Sequence, residues 1–213
     1  MKPKVTRKEV LEQFRTQEIL AAARRVMERR GGVEGATMEE IAHAAGVAKG
    51  TIYLYFASKE HLISALMSQV GENLRRELEA VLTRPGSAWE RLLGALQLCL
   101  DYLRRERLLF PVYFRDLPRW LSRANTPFQR IRQLEEEILA QLTGLFSQGI
   151  SQGEFVAADP RLLACLFRGL IRGVGYYQWQ EAPEIPLTEA EPVLRALLGG
   201  LRRPTSAAEE VSA

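Results

Sequence analysis

Side chains suited to binding a polyanion are concentrated in one short stretch, residues 49–55, which reads KGTIYLY. Lys49 offers an ammonium group, Thr51 a hydroxyl, and Tyr53 and Tyr55 phenols on flat apolar rings, while Gly50 leaves the backbone uncovered. Groups of these kinds contact phosphate oxygens and base edges in nucleic acids. Taken alone, Lys49 could equally be a solvated surface charge, as could the nearby Lys59, so the prediction depends on how the stretch is presented.

The residues before this stretch predict two helices joined by a tight turn. Thr37-Met38-Glu39-Glu40 has the form of a capping box, which starts a helix that ends near Ala45. Gly46 can take the left-handed conformation that terminates a helix, and a second short helix follows over about 48–56. Two helices joined in this way form a helix-turn-helix, whose second helix can enter the major groove of DNA.

The spacing of apolar residues indicates which side chains of the second helix face outward. Ile52 and Phe56 define an inward stripe at four-residue spacing, so Tyr53 is expected to face DNA and Phe56 to lie in the core. For Tyr55 the pattern favours neither side. Thr37 is a helix cap on this interpretation, and its hydroxyl would serve a phosphate equally well.

The spaced motif G-x-x-x-T-x-x-x-I-A-x-x-A-G-V-x-K-G-T-x-Y-x-Y-F-x-S-K-E-x-L resembles the signature of the tetracycline-repressor (TetR) family. Its first glycine corresponds to Gly35 or the neighbouring Gly32, and the other positions run from Thr37 to Leu62. The match covers roughly the first quarter of the chain. It implies an N-terminal three-helix DNA-binding domain, a long fourth helix, and a C-terminal helical domain for ligand binding and dimerisation. The remainder of the chain agrees with the family in length and helical pattern alone.

Carried over by position, the resemblance implies DNA contacts from seven residues. Those at phosphate-contacting positions are Thr37, Lys49, Thr51, Tyr53 and Lys59, and those near base edges are Gly50, Tyr53 and Tyr55. Ala48 departs from the family, because many members have Ser there, and this removes a side-chain cap worth about 1 kcal/mol.

Apolar residues recur at three- and four-residue spacing along nearly the whole chain, so we expect an all-α protein. The predicted helices cover about 7–30, 37–45, 48–56, 58–82, 87–105, 108–121, 127–152, 159–180 and a last one ending near 201. The helix from 108 should break near Pro118, and Thr126 should cap a helix with Pro127 in its first position. We predict a DNA-binding domain over 1–60, a regulatory domain over 61–201, and a disordered tail over 202–213.

The segment Arg161–Trp179 is apolar around much of its circumference, with Gly169 and Gly173 four residues apart. A helix that is apolar on both sides must be covered on both sides. We therefore expect helices 160–180 and 190–201 to form a homodimer interface. The dimer would pair two reading heads, the helix-turn-helix domains of the two copies, on a palindromic double-stranded DNA operator. The alternative is that these helices are simply internal core.

Aromatic residues cluster where prolines interrupt the helical pattern, which suggests a pocket for a small-molecule effector. The candidate lining residues are Tyr102, Phe110, Phe114, Trp120, Phe128 and Phe167. The lining favours a hydrophobic or acyl-type effector, although nearby Arg115, Arg119 and Arg123 would suit an acidic one. In the resulting hypothesis, effector binding moves the fourth helix, anchored by Leu62, Leu66 and Val70, and releases the operator.

Charge and composition fit a DNA-binding regulator better than other classes. Residues 1–60 hold eleven Lys/Arg against eight Asp/Glu, whereas the rest of the chain is balanced at eighteen each. No apolar run is long enough for a membrane span and no secretory signal is recognisable, so a cytoplasmic location is expected. Cys99 and Cys165 are expected to be buried, reduced thiols.

Two other functions compete with this interpretation. An enzyme has little support, because His43 and His61 lack partners at metal-ligand spacing and Lys49-Gly50-Thr51 has the wrong order for a phosphate-binding loop. We therefore expect no catalytic residues, metal or cofactor. An effector-independent DNA-binding dimer remains open, and a ligand that changes DNA affinity would exclude it.

Overall fold

The computed structural model describes residues 6–117, 127–181 and 189–203, and within these ranges the chain is almost entirely helical. This confirms the all-α prediction. The only extended pairing among these residues is a single antiparallel bridge between Phe155 and Arg202. The α-helices are α1 Arg7–Arg29, α2 Met38–Ala44, α3 Lys49–Tyr55, α4 Lys59–Leu82, α5 Ala88–Arg105, α6 Gln129–Ser151, α7 Pro160–Gln180 and α8 Ala190–Gly199.

The helix starts and stops that the sequence predicts around the helix-turn-helix are confirmed. Thr37 and Glu40 form a reciprocal capping box at the start of α2. At its end, the Gly46 N–H donates to the His43 carbonyl at 3.1 Å and the Val47 N–H to the Ala42 carbonyl at 3.0 Å. Gly46 has φ +67°, a conformation that glycine adopts without steric cost, so this residue sets the turn.

Two helix predictions between residues 107 and 129 are wrong. Instead of a regular helix from 108, the chain forms a 3₁₀ turn at Arg107–Leu109 and a π-helical segment at Val112–Asp116. Pro111 lacks the N–H that a continuous α-helical ladder would need there. The next helix begins at Gln129 rather than at Pro127, because Phe128 supplies the first carbonyl that accepts hydrogen bonds from α6. Residues 118–126 lie outside the described ranges, so the predicted break near Pro118 and the predicted cap at Thr126 are not tested.

The described residues separate into two compact units that interleave along the chain. The first takes its residues from Met1–Gly71 and Glu106–Arg132, and the second from Glu72–Arg105 and Gln133–Ala213. Helix α4 is one uninterrupted helix that contributes to both. The functional boundary at residue 60 stays a prediction, but the first unit contains more of the chain than the first sixty residues.

The core of the first unit joins α1–α4 to the later stretch of the chain. Ile19, Ile41, Ile52, Leu62 and Leu66 are each fully buried in it. Into the same core pack apolar side chains from beyond residue 105, namely Leu109, Val112, Leu117, Phe128 and Ile131. The helix-turn-helix therefore depends on a segment distant in sequence for part of its hydrophobic stabilisation.

The second unit is a helical assembly of α5, α6, α7 and α8 with the later part of α4. Its core includes Leu78, Leu92, Phe146 and Phe167, which are all essentially inaccessible to solvent. A carboxylate from the α6–α7 connection, that of Glu154, accepts hydrogen bonds from the first backbone N–H groups of α5 at 2.9 and 3.0 Å. It thereby satisfies donors that a helix start leaves unpaired.

Helix α6 carries Gly149 at a position where the neighbouring residues leave no room for a side chain. A Cβ at Gly149 would overlap the Phe155 ring and approach Ala88 Cβ at 2.9 Å. Phe155 itself is 2% exposed and packs beside Phe146, with the ring centroids 5.5 Å apart. Close packing at this point therefore excludes any side chain larger than hydrogen.

The two cysteines lie in different environments. Burial raises the pKa of the Cys99 thiol to about 12, which keeps it protonated and inert at neutral pH. Cys165 is exposed, so the prediction that both thiols are buried is wrong for this residue. None of the described helices combines the length and apolar character that crossing a membrane would require.

Candidate nucleic-acid interface

Helix α3 packs against the core through its inward side, and its outward side is exposed. Ile52 is fully buried and Phe56, which follows the helix, is 5% exposed, as their spacing predicts. Ala48 occupies the N-cap position without a side-chain hydrogen bond. The helix is seven residues long and is held by packing rather than by capping, since so short a helix is marginal by itself.

The outward side of α3 presents the residues that the sequence analysis identified. Lys49 and Gly50 are exposed, and Tyr53 is 43% exposed, which confirms that it faces away from the core. A Cβ at Gly50 would meet no atom within 4 Å. Thr51 is half-buried, and Tyr55, which the pattern left undecided, is half-buried and packs against the core. DNA contacts by these residues remain predictions.

The charged groups near α3 are paired with acids of the same unit. The Lys49 ammonium forms an ion pair with the Glu39 carboxylate of α2, and this hydrogen bond raises the pKa of Lys49. Lys59 donates to the Glu34 carbonyl at 3.2 Å, and partial burial lowers its pKa. Lys59 is therefore half-buried and hydrogen-bonded to the α1–α2 connection, whereas Lys49 and its partner Glu39 are both exposed.

Thr37 serves as a helix cap. Its Oγ1 accepts the Glu40 N–H at 3.2 Å, while the Glu40 carboxylate accepts the Thr37 N–H at 3.1 Å. The neighbouring Arg30 guanidinium, more than the Thr37 backbone, holds the pKa of Glu40 below its usual value. The structural interpretation of Thr37 is thus confirmed, and its predicted contact with a phosphate stays untested.

Polar contacts attach the stretch beyond residue 105 to the helices of the reading head, a feature that the sequence did not reveal. Arg24 of α1 donates to the Glu106 carboxylate at 2.7 Å, and Arg115 to the Glu34 carboxylate at 2.6 Å. The buried Ser64 hydroxyl of α4 donates to the Pro127 carbonyl at 2.6 Å. These bonds tie two distant stretches of chain into one unit.

The predicted effector-pocket residues are divided between the two units. Phe110 and Phe128 are buried and Phe114 half-buried in the first unit, where the rings of Phe110 and Phe114 are 5.7 Å apart. Tyr102 and Phe167 are buried in the second unit. Trp120, like Arg119 and Arg123, lies outside the described residues, so the pocket remains a prediction.

Arg115, which the sequence offered as a partner for an acidic effector, has its charge engaged within the first unit. It forms ion pairs with Asp116 and Glu34, and these hydrogen bonds raise its pKa.

Both α7 and α8 carry an apolar stripe on their exposed sides. On α7 the exposed residues follow a three- and four-residue spacing through Leu162, Leu166, Gly169, Gly173 and Tyr177. A Cβ at either glycine would enter open space. On α8, four residues apart, Val193 is 60% and Leu197 56% exposed. Both helices turn a second apolar side inward, as the sequence predicts, through residues such as Phe167 and Leu194.

The comparisons with known proteins agree with this geometry. Residues 19–66 match the family model described as bacterial regulatory proteins, tetR family, and residues 85–181 match the tetracyclin repressor-like C-terminal domain. The chain is 27% identical over 197 residues to the uncharacterized HTH-type transcriptional regulator YfiR of Bacillus subtilis, covering 89% of this chain and 93% of that one. It is 27% identical over 166 residues to the nucleoid occlusion factor SlmA of Vibrio atlanticus, with 75% and 81% coverage.

A solved structure is similar in fold over most of the chain. The transcriptional regulator FadR from Bacillus subtilis, crystallised in complex with stearoyl-CoA, superposes with a TM-score of 0.71 at 26% identity, over 87% of this chain and 98% of that one. Both family models and this fold agree with the motif on α2 and α3. The chain belongs to the TetR family of bacterial regulatory proteins and is a helix-turn-helix transcriptional regulator.

Proposed function

We propose that this chain represses transcription as a homodimer, which binds an inverted-repeat operator through α3 and leaves it when an acyl-type effector binds. The observation that carries the proposal is the outward side of α3, where exposed Lys49, uncovered Gly50 and exposed Tyr53 stand opposite buried Ile52. The role is regulatory and not catalytic, and it places the protein with the bacterial chromosome in the cytoplasm.

The dimer is supported by the apolar stripe on α7 and α8. Exposed apolar residues in a row along a helix often mark an interaction site on a soluble protein. The stripe runs along two helices, and its open glycine positions allow the backbone of another helix to approach closely. A second copy, related by a two-fold axis, covers the same stripe on both chains at once and gives the assembly two α3 helices.

The acyl-type effector is supported by the likeness to FadR, whose crystal structure contains stearoyl-CoA. In the second unit of the present chain, Gln141 adds a polar group that is not satisfied by the described residues. Its Nε2 donates to the Arg75 carbonyl at 3.3 Å, whereas its buried Oε1 accepts no hydrogen bond from them. Buried acceptors are usually paired, so this atom is a candidate contact for a donor on the effector.

Selection from random duplex DNA tests the DNA-binding half of the proposal. Purified full-length protein is incubated with the pool at near-physiological salt, and the bound fraction is sequenced, because non-specific affinity alone can mislead. We expect an enriched inverted repeat. Lys49→Ala should weaken binding to it, whereas Arg84→Ala, which removes the same charge from an exposed position in the second unit, should not. An active, dimeric preparation that enriches nothing would refute the proposal.

Release of the selected operator tests the effector half. We expect stearoyl-CoA to displace the labelled operator and to raise the melting temperature of the protein, while coenzyme A alone does neither. If acyl-CoAs of several chain lengths leave both quantities unchanged, the effector assignment is wrong and the DNA-binding assignment is unaffected.

A further inference from the structure

Leu54 is the most exposed large hydrophobic side chain among the residues that the structure describes. It is 84% exposed, whereas the other exposed large hydrophobic side chains in these ranges lie between 43% and 61%. A single exposed leucine on a protein surface is ordinary. This one is notable for its position in the reading helix α3, where it is the last residue but one and lies between Tyr53 and Tyr55.

Leu54 shares the outermost ridge of α3 with Gly50. The two residues are four apart, so they lie one above the other on the same side of the helix, roughly opposite the buried Ile52. Because Gly50 has no side chain and faces open space, nothing on this ridge stands between Leu54 and a surface that approaches the helix. Leu54 is therefore the first apolar group that a docked partner would meet.

The chemistry of Leu54 restricts what it can recognise on DNA. A leucine side chain has neither a donor nor an acceptor, so it cannot read the hydrogen-bonding pattern of a base pair. The apolar feature of the major-groove edge is the C5-methyl group of thymine. The exposed Lys49 on the same helix favours a polyanion over an apolar protein surface as the partner of this ridge.

We propose that Leu54 reads a thymine methyl group in each half of the operator, which makes it a specificity-determining residue in addition to the polar ones on α3. The inference rests on the proposed function, because it requires α3 to lie in the major groove. It predicts a fixed thymine at one position of each half-site, and it predicts that the methyl group of that base, rather than its pairing, is what the protein needs.

The test replaces each thymine of the selected operator by uracil, which removes the methyl group and keeps the base pair. Wild-type protein should lose roughly fourfold in affinity for one replaced position and about fifteenfold when both half-sites are changed, the effect expected for one buried methyl-sized group per half-site. Replacements at the other thymines serve as internal controls. Leu54→Ala should bind the thymine operator more weakly and should no longer distinguish uracil from thymine at that position.

A second replacement and a conservative variant sharpen the test. A cytosine–guanine pair at the fixed position should bind poorly, and 5-methylcytosine there should recover part of the affinity, since it restores the methyl group. Leu54→Met should keep the uracil sensitivity that Leu54→Ala loses. Because the side chain is exposed, both variants should melt at the wild-type temperature.

The failures of the two proposals are distinguishable. If wild-type protein binds a selected operator but no thymine shows uracil sensitivity, or if Leu54→Ala keeps that sensitivity, the assignment of Leu54 is overturned and the DNA-binding function stands. If no operator is enriched, both proposals fall.

Discussion

The exposed surface of α3 differs in composition from the exposed surfaces of α7 and α8. On α3 a lysine, a glycine and a tyrosine surround Leu54, whereas the stripe on α7 and α8 is made of Leu162, Leu166, Val193 and Leu197 with two glycines. A polar, cationic surface suits a polyanion such as DNA, which binds reversibly and releases its counterions when it binds. An apolar stripe suits a partner that is held whenever the protein is folded. Salt should therefore weaken the contact with DNA much more than the contact between two copies.

The glycines of the two surfaces differ from a glycine inside the second unit. At Gly50 and Gly173 an added Cβ would enter open space, whereas at Gly149 it would overlap the Phe155 ring. The first two glycines leave room for something outside the chain, and the third fits a packing contact within it. The same residue type thus lies on an open surface in one place and in a tightly packed core in the other.

The largest expected effect comes from placing a charge on the apolar stripe. Leu166→Glu should separate the homodimer and lower operator affinity by about 100-fold or more, because each half-site is then bound without the effective concentration that the dimer supplies. Sedimentation and operator titration measure the two effects. Ala80→Glu, on an exposed position of α4, is the matched control and should change neither. A monomeric wild-type protein would contradict this interpretation of the stripe.

Gly149→Ala should destabilise the second unit by about 1–3 kcal/mol, since the new methyl group overpacks the contact with Phe155. Chemical unfolding monitored by circular dichroism measures the change. Gly144→Ala, on the same helix, is the matched control. A Cβ there meets no atom within 4 Å, so alanine should stabilise the protein through its helix propensity. Equal effects of the two substitutions would contradict the packing argument.

Gly50→Ala should raise the stability of the protein and lower its affinity for the operator. Alanine is the better helix former and its Cβ is unobstructed, so the free energy of unfolding should rise by about 0.5–1 kcal/mol. Operator affinity should fall by about tenfold, roughly 1.4 kcal/mol, because the methyl group separates the helix backbone from the DNA. A variant that is more stable and binds the operator as well as wild type would remove Gly50 from the interface.

The smallest expected effect concerns the ion pair between Lys49 and Glu39. Because DNA must displace this carboxylate before Lys49 can bind a phosphate, Glu39→Gln should strengthen binding to non-specific duplex by about twofold to fivefold, as expected for an exposed ion pair. Fluorescence anisotropy at several salt concentrations measures the change. Glu79→Gln removes an exposed carboxylate from the second unit and should have no effect.

The local structure of the reading head could be predicted because short-range signals determine it. The Thr37 capping box, the Gly46 turn and the inward spacing of Ile52 and Phe56 depend on residues within a few positions of one another, and all are confirmed. The same spacing places Leu54 on the outward side, so the sequence contained the signal for its exposure. It was missed because leucine suggests core rather than surface.

The parts that could not be predicted depend on long-range contacts. Leu109 and Phe128 return to the core of the reading head from 27 and 46 residues beyond the end of α4, and no periodic pattern in the sequence indicates this contact. The π-helical segment at Val112–Asp116 and the start of α6 at Gln129 arise in the same stretch. Local propensity competes there with packing, and packing determines the outcome. The exposure of Cys165 likewise depends on which side of α7 is covered.

The interleaved first unit has a consequence for how the protein is made. A ribosome that has synthesised 71 residues has completed the helix-turn-helix but not the Leu109, Val112, Leu117, Phe128 and Ile131 side chains that complete its core. At ordinary rates of synthesis the missing residues follow about 3–12 seconds later. A nascent or truncated chain that stops before residue 106 therefore lacks a finished reading head, so fragments without the regulatory half are poor competitors for the operator.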